Sequence, residues 1–181
     1  MTVWLLALSL SVVPSAQERV NPTAEAIAAF QKRVDTYLTL RKDLTKKIPE
    51  VKETGDPTKI SAREKTLGQA IATAREGSKQ GEVFGDLSSF LREIVAEDWK
   101  SRSPADQRAA LSELPKNLKL TINQPYPTTL PLATVPANLL ARLPKLPEEH
   151  EYRLVDRQLL LRDRDANLVI DVLSGTAPAT K

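Results

Sequence analysis

From Asn21 to Ile48 the apolar residues Ile27, Phe30, Val34, Tyr37, Leu44 and Ile48 recur at helical steps, interrupted only by Arg41. That spacing puts one stripe on one face and predicts a helix over 21–48. Asn21-Pro22 supplies its start, a capping side chain followed by the position where a missing N–H costs nothing, and Pro49 supplies its stop. Asp56-Pro57 repeats the start signal, and a second helix follows with Ile60, Leu67, Ala70, Ile71 and Ala74 inward, ending among Gly77, Gly81 and Gly85. A third helix over 86–100, capped by Asp86, presents Leu87, Phe90, Leu91, Ile94, Val95 and Trp99. Ser103-Pro104-Ala105-Asp106 places a hydroxyl cap three residues before a carboxylate and starts a fourth, short helix that ends before Pro115.

Beyond Leu118 the period changes from helical to alternating. Leu118, Leu120 and Ile122 alternate with Lys119 and Thr121, which predicts a strand. Pro125, Pro127, Pro131 and Pro136 then favour an extended strap across the surface, and 136–143 reads as a two-turn helix closed by Pro144. Three short runs, 151–155, 158–162 and 168–173, are separated by Asp156-Arg157 and by 163–167, both rich in turn-forming Asp and Asn. They predict an antiparallel meander. The three consecutive leucines Leu159, Leu160 and Leu161 must point to alternate faces, so both faces of that sheet need cover.

These patterns give an α+β chain: a bundle of three to four helices, a proline-rich strap with a short helix, and a small β-meander. The expected divisions are a signal peptide at 1–16, a helical region at 17–114, the strap at 115–147, the meander at 148–173 and a disordered tail at 174–181. The signal assignment rests on an uncharged apolar run from Met1 to Ala16. A membrane span needs roughly 20 apolar residues, and this run is shorter and ends in Pro14-Ser15-Ala16. The expected mature chain starts at Ala16 or Gln17 and works in the periplasm or as a secreted protein, with no transmembrane span.

Composition narrows the function classes. The chain has no cysteine, so disulfide staples and a lipid-modified cysteine are excluded and packing alone must stabilise the fold. Its 26 basic and 23 acidic residues give a net charge of +3, too balanced for a polyanion surface, so nucleic acid is not an expected partner.

The segment Val135-Pro136, Leu143-Pro144, Leu146-Pro147, Tyr152-Arg153-Leu154-Val155, Leu159 to Asp163 and Ala166 to Val172 resembles the C-terminal part of uncharacterised exported bacterial proteins. Ala74-Arg75-Glu76 and Gly81-Glu82-Val83-Phe84 are similar to the same group. The closing tyrosine, strand, Asp turn and Val-Ile-Asp-Val pattern also resembles the small β module of periplasmic nickel and cobalt homeostasis regulators. That second resemblance implies a fold and no metal function, because the histidine-rich stretches of such proteins are missing.

Candidate chemistry is sparse. Asp163, Asp165 and Asn167 match the first ligands of a calcium loop, but Leu168 and Ser174 occupy the places of its glycine and bidentate glutamate, and a hairpin turn explains the three as well. His150, the lone histidine, sits in an acidic stretch, too few ligands for zinc, and reads as part of a solvated turn. Arg41 with Lys42, Lys46 and Lys47 reads as a solvated helix end that complements the dipole. Arg153, Arg157, Arg162 and Arg164 cluster on the meander as a candidate anion or partner contact, set against ion pairing with the interleaved Asp156, Asp163, Asp165 and Asp171. No catalytic, cofactor or metal residues are expected. The expected function is a non-enzymatic cell-envelope protein that binds another envelope protein or itself. The alternative is a ligand-responsive or enzymatic periplasmic module whose site forms only in the folded chain.

Overall fold

The computed structural model describes residues 21–49, 56–112, 120–130, 135–155 and 158–176. Five helices precede a three-stranded antiparallel sheet. They are α1 (Pro22–Thr45), α2 (Pro57–Ala74), α3 (Ser88–Ser101), α4 (Pro104–Ser112) and the single turn α5 (Ala137–Leu140). The strands β1 (His150–Val155), β2 (Gln158–Asp163) and β3 (Leu168–Ser174) pair in the order β1-β2-β3. The expected α+β architecture of helices followed by a meander is the one observed.

Three of the start signals act as expected. The side chains of Asn21 and Asp56 each accept a bond of 3.0 Å from the backbone N–H two residues on, at Thr23 and Thr58. Ser103 Oγ accepts from Asp106 N at 3.1 Å and donates to its carboxylate at 2.7 Å, which satisfies helix-end groups that have no intrahelical partner. Asp86 does not cap α3. It lies in a 3-10 turn, Gly85–Leu87, which runs directly into α3, and the residue before the helix, Leu87, has no capping side chain. The alternating segment ending at Ile122 is not a strand over 120–122. Its first residues, 118 and 119, lie outside those described.

The meander has a core on each face. Leu159 and Leu161 pack with Phe30, Val34 and Tyr37 of α1 and with Leu67 and Ile71 of α2, whereas Leu160 packs with Leu120, Tyr126 and Leu130 of the strap. All three leucines are wholly buried, each burial contributing about 1.5–3 kcal/mol. The helices and sheet therefore share one core, and the sheet does not depend on the strap and α5 alone. The strap also covers the outer edge of β3: Asn123 N donates to Val169 O, Val169 N to Gln124 O, and Tyr126 N to Asn167 O, at 2.8–3.0 Å.

A bulge in β3 changes the phase of the sheet. Leu161 opposes Asp171 while Arg162 opposes Val169, so Ile170 is the extra residue. Both Ile170 and Asp171 consequently face the helices. β3 runs through Ser174 and Thr176 is fully buried, so order extends past the expected start of the tail at 174. Residues 177–181 and the apolar N-terminal run lie outside the described residues.

Candidate functional site

The exposed face of α2 forms one wall of a groove of about 900 Å³. Ser61, Glu64, Lys65, Gly68, Gln69, Ala72 and Thr73 recur at helical spacing along this wall, and residues 123–128 of the strap with Ala166, Asn167 and Leu168 form the other. The two walls meet at Gly68, where a Cβ would come within 2.8 Å of the Ala166 carbonyl oxygen, so glycine is what lets the helix approach the β2–β3 turn. The floor is fixed by polar locks. Asn123 accepts from Arg75 Nη1 at 3.0 Å and donates to the Arg75 carbonyl at 2.7 Å, and Asn167 donates to the Tyr126 carbonyl and accepts from Arg162. By contrast the side chains of Ser61, Glu64, Lys65, Gln69, Thr73, Gln124 and Thr128 bond to no other described residue.

The four candidate arginines do not act as one patch. Arg153 and Arg162 converge on Glu151, which takes bonds from Arg153 Nε at 2.8 Å and from Arg162 Nη1 at 2.5 Å. Burial raises the Glu151 carboxyl, but the bonds from both arginines outweigh it and hold the group below its ordinary value. Arg162 also lies over the Tyr126 ring, 5.5 Å from its centre. Arg164 is exposed and reaches the Glu148 carbonyl, and Arg157 lies outside the described residues.

The interleaved aspartates have other partners. Asp171 accepts backbone N–H groups of Gly81, Val83, Phe84 and Val172. Burial raises its carboxyl and those four donors pull against the shift. Asp163, with no exposure, takes the Tyr37 hydroxyl at 2.9 Å, Arg41 Nε at 2.8 Å and Ala166 N at 2.9 Å, while Asp165 takes Arg41 Nη2. The calcium-like oxygens are thus spent on protein donors, and Asn167, at φ 47°, completes a turn. Among the described residues there is no group of three or more His, Asp or Glu side chains able to hold a metal.

Two residues differ from their sequence reading. Arg41 is no solvated helix end: its side chain is 11 % exposed and spans Asp163, Asp165 and Glu149. Burial lowers its guanidinium, and the three carboxylates outweigh this and raise it. His150 is no solvated turn residue. It is buried edge-on against Tyr37 with ring centres 5.0 Å apart, and neither ring nitrogen has a hydrogen-bond partner. Desolvation lowers its pKa, with Asp163 pulling upward less strongly. Arg75, which carried no signal beyond its place in the resemblance, lies 5.2 Å from the Tyr37 ring centre and donates to the Ile170 carbonyl.

No family model, curated protein or solved structure matches the chain.

Proposed function

We propose that this is an exported, non-enzymatic cell-envelope protein that binds a partner protein or a second copy of itself, and that the α2 groove is where it does so. The carrying observation is the contrast within the groove: a floor locked by Asn123, Asn167 and the Gly68–Ala166 approach beneath walls whose polar side chains are unspent. A preorganised floor lowers the ordering cost of association, and unspent donors and acceptors give it specificity. Buried charge elsewhere acts as cross-linking: Asp163, Asp171 and Glu151 each tie together separate parts of the chain. Export rests on the short uncharged run at Met1–Ala16, and kinship with uncharacterised exported bacterial proteins on the motifs quoted above. Among the described residues no helix is long and apolar enough to cross a membrane.

A photoreactive residue placed at Gln69 in living cells should yield a discrete adduct that the same residue at Glu93 on α3 does not. An adduct of twice the chain mass identifies self-association, and any other mass a partner. No adduct at Gln69 above the Glu93 background contradicts the proposal. Export is tested separately: the native protein should begin at Ala16 or Gln17, and an intact Met1 in cytosol contradicts it.

One observation favours the second reading, a ligand-responsive or enzymatic module. A separate cleft is lined by Glu151 and Arg153, and the arginine bonds hold the Glu151 carboxyl below its ordinary value, the kind of concave site in which perturbed titratable groups serve ligands.

A further inference from the structure

Strand pairing sets His150 directly opposite Asp163, and both side chains meet Tyr37 of α1. The His150 amide turns away to the Pro147 carbonyl, so the two residues form a non-hydrogen-bonded pair, the kind whose side chains lie closest. Both ring nitrogens of His150 are buried and without a partner among the described residues. The charged groups that reach the ring are Asp163 from β2, Asp165 from the turn after it, Glu149 from the loop before β1 and Arg41 from α1. The three carboxylates favour a protonated ring and Arg41 opposes it. Arg75, at the end of α2, lies over the Tyr37 ring, Tyr152 faces the same side from β1, and Lys145 shares the cleft that His150 lines. Asp163 is heavily used: one oxygen takes Tyr37 and Arg41, and the other takes the Ala166 amide at 2.9 Å. Ala166 in turn sets the α2 groove, since its carbonyl is the atom that Gly68 approaches.

We propose that proton uptake by His150 releases the floor of the α2 groove: the imidazolium draws the Asp163 carboxylate from the Ala166 amide, the 163–167 turn loosens, and the Gly68–Ala166 approach is lost. An imidazolium donates from both nitrogens. Asp163 can meet one of them only at an oxygen that Ala166 or α1 already holds, and the second N–H stays buried without an acceptor, which favours moving the ring toward water. The direction follows from burial, which makes the closed state bind this proton less readily than a state whose ring meets water. Each pH unit below the ordinary 6.5 therefore favours release by at most about tenfold. Tyr37 and Arg41, both raised, keep their protons throughout. The inference rests on the α2 groove being the partner site, and it makes engagement there stronger at neutral pH than in mild acid.

The test is an NMR titration of the purified full chain between pH 7.5 and 5, in which the ring signals of the single histidine identify themselves. The ring should titrate below 6.5, and the Ala166 amide signal should move with the same midpoint. On acidification the hydrogen-exchange protection of Ala166 should fall at least about threefold more in the parent than in His150→Phe, whose fold is checked by circular dichroism. It should also lie at least about tenfold below the protection of Val95 in α3, which marks global unfolding. For the protein captured through Gln69, acid should weaken binding to the parent by at least about threefold more than binding to His150→Phe. The proposal is overturned by a ring that titrates at or above 6.5, by an Ala166 amide that does not follow it, by equal protection of Ala166 and Val95, or by equal acid dependence in the parent and His150→Phe. Capture of no protein through Gln69 contradicts the groove reading instead, and the His150 and Ala166 signals then decide the release by themselves.

Discussion

The Tyr37 hydroxyl donates to the Asp163 carboxylate at 2.9 Å, joining the middle of α1 to the end of β2 across 126 positions of sequence. Arg41, one helical turn on, donates to the same carboxylate oxygen at 2.8 Å, and Ala166 N takes the other oxygen. One buried carboxylate therefore fixes the helix, the strand and the turn at the groove floor. Removing the cation strands the charge: Arg41→Met should cost about 3–5 kcal/mol, and Tyr37→Phe, which leaves Arg41 in place, about 1–2 kcal/mol. Urea unfolding of the two variants checks both the values and their order. Equal losses would show that Arg41 is not the main counter-charge.

His150 should make the fold acid-sensitive. Its pKa is held below the ordinary 6.5 by burial, so the folded state binds this proton less readily than the unfolded one, and stability is lost as pH falls from that ordinary value toward the lowered one. The maximum slope for one group is about 1.4 kcal/mol per pH unit. Asp171, whose carboxyl burial raises, acts in the opposite sense. Comparing the parent with His150→Phe cancels this shared contribution. Unfolding free energies between pH 7.5 and 5 should fall more steeply for the parent, and parallel curves would refute the assignment.

Glycine substitutions separate helix propensity from close approach. Gly68→Ala should gain up to about 1 kcal/mol as a helix interior residue, yet its Cβ meets the Ala166 carbonyl at 2.8 Å, a rigid backbone atom. The net result should be destabilisation of about 1–3 kcal/mol. Gly77→Ala, with nothing within 4 Å, should be neutral within about 0.5 kcal/mol. Thermal melts of the two variants distinguish the cases, and a stabilised Gly68→Ala would mean that the groove floor is looser than described.

Leu160 and Leu161 face different cores. Truncation of either to alanine should cost about 2–5 kcal/mol. Leu160→Ala alone should also speed hydrogen exchange at the Tyr126 amide, since that residue packs with Leu160 on the strap face. Leu161→Ala should leave Tyr126 unaffected at matched global stability. Identical exchange in both variants would contradict a separate strap-side core.

The patterns legible in sequence were those set by near neighbours. Helix starts at Asn21, Asp56 and Ser103, the α1 stripe and the three leucines of β2 all follow from local capping or periodicity. What was illegible depended on distant partners. Arg41 resembles any basic residue near a helix end until Asp163 arrives beneath it. The acidic neighbours of His150 suggest solvent, and only the packing of Tyr37 removes it. Asp171 had the spacing of an exposed turn-and-strand charge, and the bulge at Ile170 turned it toward the amides at 81–84. Leu120 and Ile122 had the alternation of a strand but serve as irregular cover for the strap-side core. For the groove, the one available signal was the run of small and polar residues on a single α2 face, from Ser61 to Thr73.

Partner engagement at the α2 groove is tested most directly by measuring the affinity of the protein captured through Gln69 for the purified parent chain and for a Gln69→Arg, Thr73→Arg variant. Both side chains are exposed and unbonded, so Tm should stay within about 2 °C of the parent. The account predicts a Kd at least about tenfold weaker at that unchanged Tm, and an unchanged Kd would contradict it.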